Sequence, residues 1–226
     1  MAGYTIEKIE THDEWLKARR GGIGGSDAAV ACGESPWTTE IELWGQKCGF
    51  IEPPDISDSP VIIYGKAAED LIRELYKLDH KQYEYEYHPY WNYISKDYPF
   101  MRYTPDGLLR DRDGRLGIHE IKTTTLHKGS DWEKWNQDKD DENVPDYYFC
   151  QIMHGLNVID DAEFVELTAR IRWFNFGKLT ITERTYHWDR ANVLDQMQYV
   201  REKEEAFWRC VENKVAPAIT LPRRNT

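Results

Sequence analysis

Residues 104–125 read TPDGLLRDRDGRLGIHEIKTTT. Asp113-Gly114 in the middle is a tight-turn signature, so the chain runs out along Leu108 to Arg110 and returns along Leu116 to Thr123. Successive strand side chains alternate between faces, which puts Glu120 and Lys122 together and turns Ile121 into the core. Asp106 follows Pro105 at the start of the outgoing strand, where its carboxylate can reach the end of the returning one. Two carboxylates with the main-chain carbonyl of Ile121 form an all-oxygen donor set suited to Mg2+ or Mn2+. Lys122 beside them would orient and help deprotonate a metal-activated water, then stabilise charge on a phosphate under attack. A plain reading fits the same residues: Glu-x-Lys is a common cross-strand charge pattern, and Pro-Asp-Gly is a common turn.

Outward from this hairpin the pattern alternates between helices and strands. Upstream, residues 11–20 read as a short helix with Trp15 one turn before Arg19. The glycines of ARRGGIGGSDAAV (residues 18–30) follow, and Ser26 or Asp27 is placed to cap a helix over Ala28 to Cys32. Thr39 precedes a helix from Glu40 to Cys48. In YGKAAEDLIRELYK, the residues Ala67, Leu71, Leu75 and Leu78 recur near helical spacing, with Glu69 in the first turns. Residues 82–88 alternate with period two, so Tyr83, Tyr85 and Tyr87 share a strand face, which reads as sheet packing before base stacking. A short strand covers Phe100 to Tyr103. Downstream come a helix over Asp146 to Val158, strands over Glu163 to Trp173 and Lys178 to Tyr186, and a last helix over Asp189 to Asn213. Central strands with helices before, between and after them predict an α/β fold, a mixed β-sheet flanked by helices.

Composition sets limits. A chain of 226 residues with 40% hydrophobic content and 9 tryptophans suits one folded domain over 1–226. No apolar run approaches the roughly 18 residues of a membrane span, and the first residues lack a signal-peptide layout, so the expected location is cytoplasmic, with no membrane partner. Cys32, Cys48, Cys150 and Cys210 are scattered, which excludes zinc and iron–sulfur spacing and reads as reduced thiols. The net charge of −11 disfavours a uniformly basic nucleic-acid surface. The acid is uneven, with seven acids against two lysines between Asp131 and Asp146. That stretch, with Trp132 and Trp135, reads as an insertion over about 125–146; the tryptophans either cover a small core of its own or meet a partner.

The glycine block is neither a dinucleotide fingerprint, since a helical pattern precedes it and position 27 is aspartate, nor a P-loop, since no Gly-Lys-Ser/Thr is present. A turn with Arg19 before it and a helix N-terminus after it suits an anion, which the backbone N–H groups and Ser26 could meet.

Pro105-Asp106 followed by Glu120-Ile121-Lys122 resembles the PD-(D/E)XK nuclease signature, which implies a restriction-endonuclease-like core. WLKARRGGIGGSDAAVACGESPWTT (residues 15–39), GKAAEDLI (65–72), PDYYFCQIMHGLNV (145–158) and FWRCVENKVAP (207–217) stand in the order of the lambda-exonuclease-like, YqaJ-type viral recombinase family. The resemblance spans most of residues 12–218. It implies that Asp106, Glu120, the Ile121 carbonyl and Glu69 hold the metal, that Lys122 is the catalytic lysine, and that Gln151 orients it, the water or nearby DNA. Arg19 and Ser26 would hold a DNA 5′ phosphate. Each residue taken alone has a plainer role: a helix-dipole partner for Glu69, an exposed helix position for Gln151, a surface ion pair with Asp13 or Glu14 for Arg19, a cap for Ser26. The resemblance further implies an Mg2+-dependent exonuclease of phage or prophage type, with Mn2+ able to substitute. It would degrade one strand of linear double-stranded DNA from the 5′ end, act as a ring-shaped homotrimer, and hand the exposed strand to a single-strand annealing protein. An endonuclease on the same core, or a catalytically silent DNA-end binding protein, are the rival functions.

Overall fold

The hairpin around Asp113-Gly114 is present in the computed structural model, which describes residues 2–135, 137–138, 141–175 and 177–218. The Asp111 carboxylate closes the turn by accepting from the main-chain N–H groups of Asp113 and Arg115 at 3.0 and 2.9 Å. In chain order the elements are β1 Tyr4–Lys8, α1 His12–Arg19, α2 Gly25–Ala31, α3 Glu40–Lys47, α4 Pro60–Asp79, β2 Glu84–Glu86, β3 Trp91–Ser95, β4 Arg102–Tyr103, β5 Gly107–Arg110 and β6 Leu116–Leu126. There follow α5 Gly129–Trp132, the short pair β7 Gln137–Asp138 and β8 Asp141–Glu142, α6 Asp146–Val158, β9 Ala162–Asn175, β10 Lys178–Asp189 and α7 Leu194–Glu212.

The main sheet has the order β10-β9-β6-β5-β2. β6 and β9 run parallel, joined by the crossover that contains α6, and the other neighbours are antiparallel. A second sheet, β1-β3-β4, lies beside it. The α/β class with a flanked mixed sheet is therefore correct. α6 packs against one face of β6 and is itself covered by α2 and α7, and α4 covers the other face of the strand. With both faces covered, residues 117–121 of β6 are all buried. Ile118 and Ile121 each contribute about 1.5–3 kcal/mol by leaving water.

Four expectations change. α2 begins at Gly25 with Gly24 as its cap, so Ser26 lies inside the first turn, and the Asp27 carboxylate instead accepts from the Gly24 N–H at 3.0 Å. α4 starts at Pro60 and turns a different face inward: Ala68, Ile72, Arg73 and Tyr76 are buried, while Leu71, Leu75 and Leu78 are exposed. The reason is that Arg73 and Tyr76 find hydrogen-bond partners on the sheet that leucines would not. The strands expected at 82–88 and 100–103 shrink to β2 and β4, and β1 and β3 were not anticipated. The last helix begins at Leu194, after a short turn at Arg190–Asn192.

Tyr83 and Tyr85 pack inward, against Phe164 and against Tyr76 and His119 respectively, as sheet packing predicts. Trp135 is 1% exposed and belongs to the main core, against Tyr148 and Tyr186. Trp132 stands edge-on to Trp173 with Arg184 over its ring. The tryptophans of the acidic segment thus join the body of the fold; its residues 136, 139 and 140 lie outside the described residues. All four cysteines are free thiols.

Candidate active site

A cleft of about 210 Å3 opens where β4, β6, α2 and α6 meet. Asp106, Glu120, Lys122 and Gln151 line it together with Arg19 and Ser26, so six of the seven side chains expected at the site share one cavity. The seventh, Glu69, does not line it.

Glu120 sits at the bottom, 1% exposed. One carboxylate oxygen accepts from Lys122 Nζ at 2.6 Å and from the Gln151 amide; the other accepts from the buried hydroxyl of Tyr103. Burial, reinforced by Glu120, pushes the Tyr103 hydroxyl well above its ordinary pKa, so it stays a donor. Burial works against a charged Lys122, but Glu120 and Asp106 outweigh it and raise its pKa, so the ammonium is held charged. β5 ends its pairing with β6 at Gly107 opposite His119, which leaves the edge of β6 beyond that point to the Asp106 side chain. Asp106 Oδ2 accepts from the Ile121 N–H at 2.8 Å. The N–H and C=O of one strand residue point to the same edge, so the Ile121 carbonyl faces Asp106. Burial first, and then the neighbouring Glu120, raise the Asp106 pKa well above the carboxylate range.

The donor chemistry fits a divalent cation. Asp106, Glu120 and the Ile121 carbonyl are hard oxygen donors, and a bound cation would favour the ionised form of Asp106 that burial and Glu120 oppose. Among the described residues no three His, Cys, Asp or Glu side chains converge on one point, so the carbonyl and solvent would complete the ligand shell. Glu69 stands on α4 to the side of the cleft, its Oε1 accepting from Arg73 Nη2 at 2.6 Å. Desolvation raises its pKa, against the opposing pull of Arg73 and Lys122.

The other end of the cleft is cationic. Arg19 lies over the Trp15 ring at 4.8 Å and donates to Ser26 Oγ at 2.6 Å. Trp15 Nε1 in turn donates to Thr104 Oγ1 at 2.9 Å, tying α1 to the strand that precedes Asp106. Arg19 is therefore not the surface partner of Asp13 or Glu14. Beneath it, half-buried Asp27 pairs with Lys47 at 2.7 Å, and Lys47 also donates to the Arg19 carbonyl at 3.1 Å. Desolvation of Asp27 is outweighed by Lys47 and Arg19, which together hold its pKa low. Two glycines serve close approach here. A Cβ on Gly22 would meet the Phe100 carbonyl oxygen at 2.3 Å, and one on Gly25 would press on Tyr103 and Gln151 at 3.1 Å. Arg102, a second arginine at the cleft, donates to the Ala18 carbonyl at 3.2 Å. Arg102, Tyr103 and Arg73, and the bond of Trp15 to Thr104, went unread in the sequence, since each depends on partners 17 or more residues distant, or on the face α4 turns inward.

Residues 14–163 match the YqaJ-like viral recombinase domain. The chain belongs to that family. A relative from Bacillus subtilis (strain 168), described as uncharacterized protein YqaJ, is 31% identical over 154 residues, which is 66% of this chain and 43% of the relative. The chain thus aligns with less than half of that relative's length. Among solved structures the fold is similar to the alkaline exonuclease LHK-Exo from Laribacter hongkongensis. The TM-score is 0.54 at 16% identity, covering 90% of this chain and 94% of that one, and the same values hold for LHK-Exo in complex with dAMP. At that identity the likeness establishes the fold of this family member. Among the described residues no helix is long and apolar enough to cross a membrane.

Proposed function

We propose that this chain is a metal-dependent exonuclease that degrades one strand of linear double-stranded DNA from its 5′ end, exposing single-stranded DNA for recombination. Family membership and the fold shared with an alkaline exonuclease support a nuclease role. The observation that carries the finer reading is the union, in one cleft, of a cationic pocket at Arg19 and Ser26 with the acids Asp106 and Glu120 and the Lys122 ammonium. An enzyme that cuts internal sites has no need of such an end pocket.

Asp106, Glu120 and the Ile121 carbonyl would hold Mg2+, or Mn2+ in its place, with Glu69 close by. When bound, the ion supplies Lewis-acid polarisation of the phosphate and a more acidic water. The chain's own residues do the rest. Lys122, held charged by its acids, is suited to stabilise negative charge on the phosphate under attack rather than to accept a proton. Gln151 and Tyr103 fix the Glu120 carboxylate through its two oxygens. Arg19 and Ser26 grip the terminal phosphate, so hydrolysis that leaves phosphate on the new 5′ end regenerates the bound group for the next cycle. A homotrimer ring, the annealing partner and a cytoplasmic location, each implied by the family resemblance, complete the proposal.

The test is digestion of linear duplex DNA beside a closed circle, with Mg2+ or EDTA, for wild type and Lys122→Ala. Loss of the linear form alone, dependent on Mg2+ and absent in the variant, is expected. Cutting of the circle would replace this reading with an endonuclease.

A further inference from the structure

We infer that Arg73 is a positioning residue for the proposed metal site, fixing the main chain at Asp106 relative to α4 and to the Glu69 carboxylate beside the cleft. The inference rests on the reading of Asp106, Glu120 and Glu69 given above.

Arg73 is 4% exposed, on the face that α4 turns to the sheet. Burying a guanidinium is unfavourable unless its donors are well met. Here they are: Nη2 donates to Glu69 Oε1 at 2.6 Å, Nε donates to the Asp106 carbonyl at 3.1 Å, and Nη1 pairs with Asp70. The guanidinium also lies 3.5 Å from the centre of the Tyr87 ring. The Asp106 carbonyl has a second donor, the Tyr85 hydroxyl at 3.2 Å, and that hydroxyl meets His119 Nδ1 at 2.8 Å, one residue before Glu120. A chain of contacts therefore runs from Glu69 through Arg73 to Asp106 and on through Tyr85 to β6. The Ile121 N–H orients the Asp106 side chain, and this brace orients its backbone. A surface i,i+4 pair would explain the contact with Glu69 but not the burial, nor the bond across 33 residues to Asp106. The planar fork is what makes both bonds at once; a lysine would keep the charge and lose the fork.

The test separates position from charge and from stability. Mn2+ alone is titrated into the metal-stripped full chain, with free Mn2+ read by electron paramagnetic resonance, for wild type, Arg73→Lys, Tyr85→Phe and Glu120→Gln. Thermal melts show the temperature at which each variant is folded. Arg73→Lys is expected to bind Mn2+ about tenfold more weakly or worse, and Tyr85→Phe to lose less in the same direction. Arg73→Lys that melts lower but binds Mn2+ as wild type does would make Arg73 only an anchor for α4, and overturn the inference. If Arg73→Lys does not fold, Tyr85→Phe decides: weaker binding supports the brace and unchanged binding overturns it. Wild type that binds no Mn2+, or Glu120→Gln that binds it as well as wild type, would overturn the reading of the site and this inference with it.

Discussion

The two faces of β6 are both buried, yet they carry opposite chemistry. Toward α6 the strand presents Glu120 and Lys122, held in a charged network by Tyr103 and Gln151. Toward α4 it presents His119 and Ile121: the imidazole stacks on Tyr76 at 3.9 Å between ring centres and bonds Thr168, and Ile121 packs on Ala68 and Ile72. Burial alone does not decide whether a group stays charged; the partners do. Glu120 and Asp106 keep Lys122 charged against its desolvation, whereas desolvation dominates at His119 and lowers its pKa to about 3. One face is built to hold charge, and the other to hold the strand in place.

Mutations on the two faces should therefore separate activity from stability. Glu120→Gln removes the acid at the centre of the charged face and should cost about 10^3-fold or more in DNA hydrolysis. The circular dichroism spectrum should stay folded; a variant with wild-type turnover breaks the comparison. On the opposite face, Tyr76→Phe takes a donor from buried Glu166. It should lower stability by about 1–3 kcal/mol in denaturant unfolding and leave the turnover of the folded protein unchanged. Tyr103→Phe sharpens the contrast, because it deletes one hydroxyl from the charged face: about a tenfold loss of rate is expected in single-turnover assays.

The subtlest contrast is in pH. The native state cannot protonate His119 until about pH 3, while the unfolded chain does so near pH 6.5. Stability due to this residue is present above pH 6.5 and is lost as pH falls toward 3. His154, buried on α6 against Glu204 at 2.8 Å, shifts the other way: desolvation opposes its charge, but Glu204 outweighs it and raises the pKa. Its contribution is complete below pH 6.5 and is lost as pH rises through the raised value. Melting temperatures across pH 4–9 should show His119→Gln flattening the acid limb and His154→Gln the alkaline limb.

Much of this was legible in local sequence. The Asp113-Gly114 turn fixed the hairpin, and alternation placed Glu120 and Lys122 on one face; the crossover helix over Asp146–Val158 matched its expected span. Arg19 and Ser26, seven residues apart, meet because one turn joins the helices that bear them. What could not be read depends on distant partners. β1 pairs with β3 more than 80 residues away, and its own side chains are mostly exposed, so it lacks the alternation of a half-buried strand. α4 has apolar residues on two sides, and periodicity favours the leucines; the choice goes to Arg73 and Tyr76 because Asp106 and Glu166 wait across the sheet. Trp135 sits in an acidic stretch that reads as surface, while its ring completes the core beside Tyr186.

If the cationic pocket and the acids act as one end-dependent site, the chemistry of the 5′ end should set the rate. The most direct measurement is the initial rate on linear duplex DNA with 5′-phosphoryl or 5′-hydroxyl ends, for wild type and Arg19→Ala. Wild type should favour the phosphoryl end by about tenfold or more, as one charged contact to phosphate implies. Arg19→Ala should bring the two rates together by slowing the phosphoryl end alone. A variant that keeps the preference, or a wild type that never had one, would contradict the claim.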